Sequence, residues 1–200
     1  MANLNMPTGF NPVRYVSGAP YNGAVNPYSF NAANDATAAF VGDAVKFVGT
    51  SQLIGDETLL DVTQAATGDT LVGVIVAFDP LYGSGAAARD ALLYRAASTQ
   101  RVAWVADDPN LLFEIQEVTG GTVLTANDAG LNVNFAVGTG STFTGRSAMT
   151  VNNVGEATTN TLDLRLAEPV NRPDNTVGSD AQKWLVRINR HSYVNQTAGV

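Results

Sequence analysis

The chain has no cysteine in its 200 residues. Disulfides and thiolate metal sites are therefore excluded, which is compatible with assembly in a reducing cytosol. It has one histidine, His191. A Ser-His-Asp triad would have to use that residue, and it sits in a polar tail beyond the last apolar run. A transition-metal site would be almost wholly carboxylate, which suits those metals poorly. Charge is also scarce, at 14% of residues against about 25% in typical domains. The two lysines and nine arginines are scattered, with a mild cluster at Arg187 and Arg190, and the formal net charge is −7. This disfavours wrapping nucleic acid, which needs clustered cations to release counterions. No apolar run reaches the roughly 18 residues of a membrane span. The opening MANLNMPTGFNPVRY has neither the basic start nor the apolar stretch of a secretory signal.

Asn, Thr, Ser, Gly and Ala stand where charges are missing. A surface of this kind can be covered by partner chains at little desolvation cost. The length fits one domain, or one domain with an extended arm, and it allows burial of roughly 70% of the unfolded surface.

The segment Thr99–Glu117, TQRVAWVADDPNLLFEIQE, has the clearest pattern. Val102, Trp104 and Ala106 alternate on one face, and Leu111, Phe113 and Ile115 on one face of a second run. Asp107-Asp108-Pro109-Asn110 between them has type I turn chemistry, so an antiparallel hairpin at the centre of a β core is expected.

Residues 1–35 differ from the rest. They hold four of the eight prolines, seven asparagines and five aromatics, with no sustained period. Proline at this spacing prevents a continuous ladder, whereas the aromatics argue against disorder. An extended N-terminal arm is expected, lying on its own domain or on a neighbouring subunit. Residues 36–190 read as the β-core domain. Strands are expected at Phe40–Val48, Leu59–Val62, Leu71–Phe78, Leu92–Ala96, Leu131–Val137, Ser147–Val151, Leu162–Leu166 and Lys183–Asn189, besides the hairpin. Val133, Phe135, Val137, Leu162, Leu164, Leu166, Trp184, Val186 and Ile188 are read as facing inward, and Asp163 and Arg165 outward. Asp79–Asp90 reads as a loop, and Thr125 as a possible N-cap of one helical turn. Residues 191–200 form a polar tail expected to fray. The fold class is all-β: an antiparallel sandwich or barrel of about nine or ten short strands with an extended N-terminal arm.

No catalytic constellation emerges. Asp107 and Asp108 read as turn formers rather than calcium ligands, because calcium wants six to eight oxygens. Glu114 and Glu117 read as solvated rather than as an acid/base pair. Gly83-Ser84-Gly85 with Arg89 lacks the remaining residues of a phosphate-binding loop. Asn195-Gln196-Thr197 fits the glycosylation acceptor by chance. No cofactor, no metal and no enzymatic activity are expected.

Several stretches carry a family resemblance: Pro7–Tyr15 (PTGFNPVRY), Tyr21–Tyr28 (YNGAVNPY), Phe40–Asp43 (FVGD), Leu71–Val76 (LVGVIV), Tyr94–Thr99 (YRAAST), Val105–Gln116 (VADDPNLLFEIQ), Gly130–Asn132 (GLN) and Lys183–Asn189 (KWLVRIN). Together with the opening Met-Ala-Asn they resemble tailed-bacteriophage virion proteins of the capsid decoration or cement type. The resemblance implies a non-enzymatic β protein, made in the host cytoplasm, that binds the outer head surface and often forms a small oligomer. The implied partners are the major capsid protein and copies of itself, with no nucleic acid and no membrane. On this reading Phe10, Arg14, Tyr15, Tyr21 and Tyr28 lie at a protein–protein contact, and removing residues 2–30 leaves the core folded while weakening attachment. The alternatives are a head–tail connection or tail protein, and a carbohydrate-binding β module using Tyr82, Tyr94 and Trp104.

Overall fold

The computed structural model describes residues 3–33, 36–83 and 93–199, with the side chains of 81–83 set aside. Among these residues the chain is all-β, as expected. Its strands are β1 (Asn11–Tyr15), β2 (Asn26–Phe30), β3 (Ala44–Ile54), β4 (Glu57–Gln64), β5 (Gly73–Gly83), β6 (Arg101–Ala106), β7 (Leu111–Gln116), β8 (Asn132–Val133), β9 (Phe135–Ala136), β10 (Thr150–Val151), β11 (Leu164–Pro169) and β12 (Lys183–Ile188). One 3-10 turn, Ala126–Asp128, breaks the pattern. It sits where Thr125 was read as a cap, and the Asp128 carboxylate accepts from both the amide and the hydroxyl of Thr125.

Ten of these strands form two bodies, and β9 and β10 pair with each other as a separate two-stranded antiparallel sheet. One body is a five-stranded antiparallel sheet in the order β1-β7-β12-β11-β8, and the other is a closed barrel in the order β2-β4-β3-β5-β6. The barrel closes where β2 meets β4 in parallel, through Ser29 and Asp61, and β6 in antiparallel. The sheet packs its inner face into one apolar core built on Leu111, Phe113, Ile115, Leu164, Leu166, Trp184, Val186 and Ile188. The barrel interior holds a second core around Phe30, Val45, Val62, Ala103 and Val105.

The expected hairpin is not one. The turn exists: Asn110 donates its amide to Asp108 Oδ1 (2.7 Å) and Leu111 to Asp108 O (3.1 Å). It carries the chain out of the barrel and into the sheet, because β6 pairs with β2 and β5 whereas β7 pairs with β1 and β12. Alternation reports that a strand has a buried face but does not name its neighbour. The face of β6 is corrected as well. Ala103 and Val105 fill the narrow barrel, Ala106 joins the sheet core, and Trp104 is half-buried outside. A five-stranded barrel leaves little interior volume, so alanine fits where tryptophan does not. The strands crowd at Gly73 too, where a Cβ would stand 2.3 Å from Ala106 O.

Residues 3–33 are largely extended, but they belong to the body. β1 is the edge of the sheet and β2 is a stave of the barrel. Proline shortens each to five residues and is tolerated, Pro12 falling at an edge-strand irregularity. Phe10 is 1% exposed and meets Phe113 and Phe135 edge to face at 6.1 and 6.0 Å. Tyr28 and Phe30 lie in the barrel core. The C-terminal residues are also tied down: Ser192 donates to Leu71 O, Gly199 to Thr158 O, and Asn132 Nδ2 to Thr197 O.

Other boundaries move. Phe40–Asp43 is a turn closed by the Asp43 carboxylate on the Phe40 amide, so β3 starts only at Ala44. β5 runs on to Gly83 where a loop was expected from Asp79, and the rest of that loop, with Leu92, lies outside the described residues. Arg95 keeps only a bridge to Ala39. Val137 is exposed and Leu162 half-buried, while Asp163 is buried.

Candidate protein-contact surface

The five residues read as a contact set are not gathered on the surface. Phe10 and Tyr28 spend their area inside the chain. The Tyr28 hydroxyl donates to Asp107 Oδ2 (2.6 Å) and lies 3.0 Å from Tyr193 Oη; burial, then the bond to Asp107, pushes its pKa far above the usual tyrosine value. Tyr15 reaches Asn22 Oδ1 (3.2 Å) and Tyr21 reaches Ala24 O (3.1 Å), both packed on the sheet core. Arg14 forms an ion pair with Glu168 on the sheet's outer side.

The remaining candidates resolve as structure. His191 is buried, its Nδ1 accepts the Tyr193 amide, and burial lowers its pKa. Ser192 beside it donates its hydroxyl to Leu71 O and not to the imidazole. Asp107 holds Asn26 and Tyr28. Glu114 faces outward as expected and takes a bidentate pair from Arg172 at 2.8 and 2.9 Å. Glu117 is buried, not solvated. Its carboxylate accepts from Asn153 Nδ2 (2.9 Å), Gln182 Nε2 (2.7 Å) and the Leu124 amide. These partners come from 36 and 65 residues away for the two side chains, so nothing near Glu117 announces them. Asp61 is similar. Burial alone would raise its pKa, yet bonds from Gln52, Ser29 and Thr50 hold it below the usual carboxylate value. Asp43 and Asp163 go the other way, pushed up by burial, Asp163 to about 6. Thr197 is pinned by Asn189. Ser84, Gly85 and Arg89 lie outside the described residues, as does the side chain of Tyr82. Tyr94 stacks on Phe40 at 5.2 Å. Among the described residues no group of three or more His, Cys, Asp or Glu is placed to hold a metal ion, and no helix is long and apolar enough to cross a membrane.

What the fold does present is a set of exposed apolar side chains on stiff supports. β3 and β4 form a long hairpin whose Gly55-Asp56 tip projects Ser51, Leu53, Thr58 and Leu60 to one face. Leu53 is 72% and Leu60 49% exposed. Phe143 is 92% exposed on a turn fixed by Ser141 to Arg146 O and Gly145 to Ser141 O hydrogen bonds. Single exposed apolar residues are ordinary, but paired leucines and a bare phenylalanine on rigid turns have the character of anchors. Gly55-Asp56 between apolar runs was the available hairpin signal.

The other face of the same hairpin turns Ile54 and Leu59 toward Trp104. With Pro27, Asp56, Glu57 and Asp79 they line a pocket of about 380 Å³. On the outer face of the sheet a groove of about 330 Å³ is lined by Arg14, Arg165, Arg187, Glu168, Leu112 and Val16. No family model, curated protein or solved structure matches the chain.

Proposed function

We propose that the chain is a virion structural protein of the tailed-bacteriophage capsid-decoration type, which binds the outer head surface through protein–protein contacts and stabilises the shell. The observation that carries this reading is the bare Leu53/Leu60 face of the β3–β4 hairpin, in a chain whose surface has little charge to desolvate. The resemblance described above supplies the phage context, with the major capsid protein as partner and the virion surface as location. Repetition of a modest interface over a shell multiplies weak binding. The test is addition of purified protein to undecorated capsids, followed by sedimentation and imaging. Wild type attaches, and Leu53→Asp/Leu60→Asp attaches at least roughly tenfold more weakly, as expected for losing a central apolar anchor. Equal attachment by both overturns this reading.

A head–tail connection or tail protein is the rival with the same chemistry, and copy number in the particle separates them. The Trp104 pocket is the one observation that favours a carbohydrate-binding module, since it joins an indole to carboxylates. A glycan screen that gives binding abolished by Trp104→Ala moves the assignment there.

A further inference from the structure

We propose that copies of this chain bind one another head to tail, the acidic Trp104 pocket of one seating the arginine-bearing outer sheet face of the next. This deepens the self-association part of the proposed function and does not rest on its capsid part.

The two surfaces are chemical complements. Asp56 and Glu57 put two carboxylates on the pocket, beside Asp79, which already interacts with Arg101, and among the described residues that line it there is no cation. The side chains of Asp56 and Glu57 have no hydrogen bond or ion pair among the described residues. They project from the hairpin tip, where Ile54 pairs with Glu57. Trp104 supplies the wall, with Pro27, Ile54 and Leu59. A guanidinium can stack on an indole while donating in a fork to carboxylates, which a lysine does less well.

The groove on the sheet offers what this pocket takes. Arg14, Arg165 and Arg187 stand there against one acid, Glu168, over the apolar Leu112 and Val16. In a chain with eleven cations this is a marked concentration. Arg187 commits its Nε to Pro109 O (2.8 Å), which orients the guanidinium and leaves its terminal nitrogens to donate elsewhere. Arg165 is held by Gly130 O and Ala198 O, so the groove is built before a partner arrives.

The geometry also selects the mode. The pocket belongs to the barrel and the groove to the sheet. A two-fold contact through either patch alone would set like charges against each other. The favourable pairing joins different patches, and with one such contact per interface it is heterologous, closing into a ring if the rotation permits; the same contact made twice across a two-fold axis gives a closed dimer. The overall charge of −7 repels copies at long range, so local complementarity sets the orientation of approach.

Sedimentation velocity on the full chain in free solution tests this without capsids. Wild type sediments as an oligomer at tens of micromolar in low salt, and at 0.5 M salt it shifts toward monomer. Asp56→Arg/Glu57→Arg and Arg14→Glu/Arg187→Glu each abolish assembly, weakening it by at least roughly tenfold. Mixing these two variants restores it, because each carries patches complementary to the other's. Thermal melts by circular dichroism confirm that each is folded. If Arg14→Glu/Arg187→Glu is not, Arg187→Gln alone replaces it and shifts the dissociation constant in the same direction. A wild-type chain that stays monomeric overturns the proposal. So do variants that assemble like wild type, or a mixture that stays monomeric. Capsid attachment through Leu53 and Leu60 uses the opposite face of the hairpin, so either proposal can fail while the other stands.

Discussion

Replacing Phe10 with alanine measures whether the N-terminal segment is core or appendage. The ring is fully enclosed, wedged edge to face against Phe113 and Phe135, and the Phe10 amide donates to Gly42 O at 2.9 Å. Truncating a buried phenylalanine costs about 3–5 kcal/mol, the transfer term plus the cavity left by neighbours that relax only partly. The two aromatic pairs place this site toward the upper part of that range. Domains are stable by only about 5–15 kcal/mol, so the loss is a large fraction of the total. Urea unfolding followed by the fluorescence of Trp184, which is buried beside β7, provides the assay. With a slope of about 2 kcal/mol/M, the midpoint falls by about 1.5–2.5 M. Removing residues 2–30 goes further: it deletes the whole of β1 and β2, opens the barrel and leaves no cooperative transition. A Phe10→Ala midpoint within about 0.5 M of wild type, that is under about 1 kcal/mol, would refute the packing described for the first fifteen residues.

Other consequences are equally accessible. Gly73→Ala drives a methyl toward Ala106 O and costs about 1–3 kcal/mol by overpacking, read from the same urea curves. Glu117→Ala leaves the Leu124 amide without its acceptor, while Asn153 keeps Gly120 O and Gln182 keeps Leu124 O, and it costs about 1–3 kcal/mol for the buried donor left unsatisfied. His191 has a folded pKa below its usual 6.5. Its neutral form therefore supports the native state fully above pH 6.5, and that support fades as pH falls toward the folded value, so the gap between wild type and His191→Gln narrows in melts taken below pH 6.5. Asp163 has the opposite sign. Its pKa is raised to about 6, so its contribution is complete below about pH 4 and is lost as pH rises through 6. Asp163→Asn, which retains an acceptor for the Gly68 amide, gains on wild type over that window.

The sequence makes the inward faces legible wherever a strand is long and one side is wet. Trp184, Val186 and Ile188 on β12, and Leu111, Phe113 and Ile115 on β7, lie in the sheet core as their alternation requires. Partnership is not local information. β6 and β7 are joined by a good turn and yet belong to different bodies, because the pairing is settled by β2, β5, β1 and β12. The polar interior is hidden for the same reason, since Asp43, Asp61, Glu117 and Asp163 look like surface acids until distant donors arrive. The N-terminal aromatics were a sound signal of an ordered segment; the surface that orders it is the chain's own. Of the two surfaces proposed to make contacts, the sequence points to Arg14 in the groove and to Trp104 at the pocket, and its alternation makes Trp104 look more core-like than it is. Leu53 and Leu60 come to one face only through the register across the Gly55-Asp56 tip, in a stretch where Leu59–Val62 alone reads as a strand.

The edge position of β1 has a consequence for biogenesis. Its partner register runs from Asn11 against Glu114 to Tyr15 against Leu111, so, apart from its local bridge to Pro20, the strand is synthesised roughly a hundred residues before its sheet partner β7 exists. At about 5–20 residues per second, the ribosome leaves that leader without β7 for roughly 5–20 s while the barrel's later staves are still emerging. Nascent chains crowded on one messenger can trade this strand during that interval, giving swapped pairs held by the same contacts as the monomer.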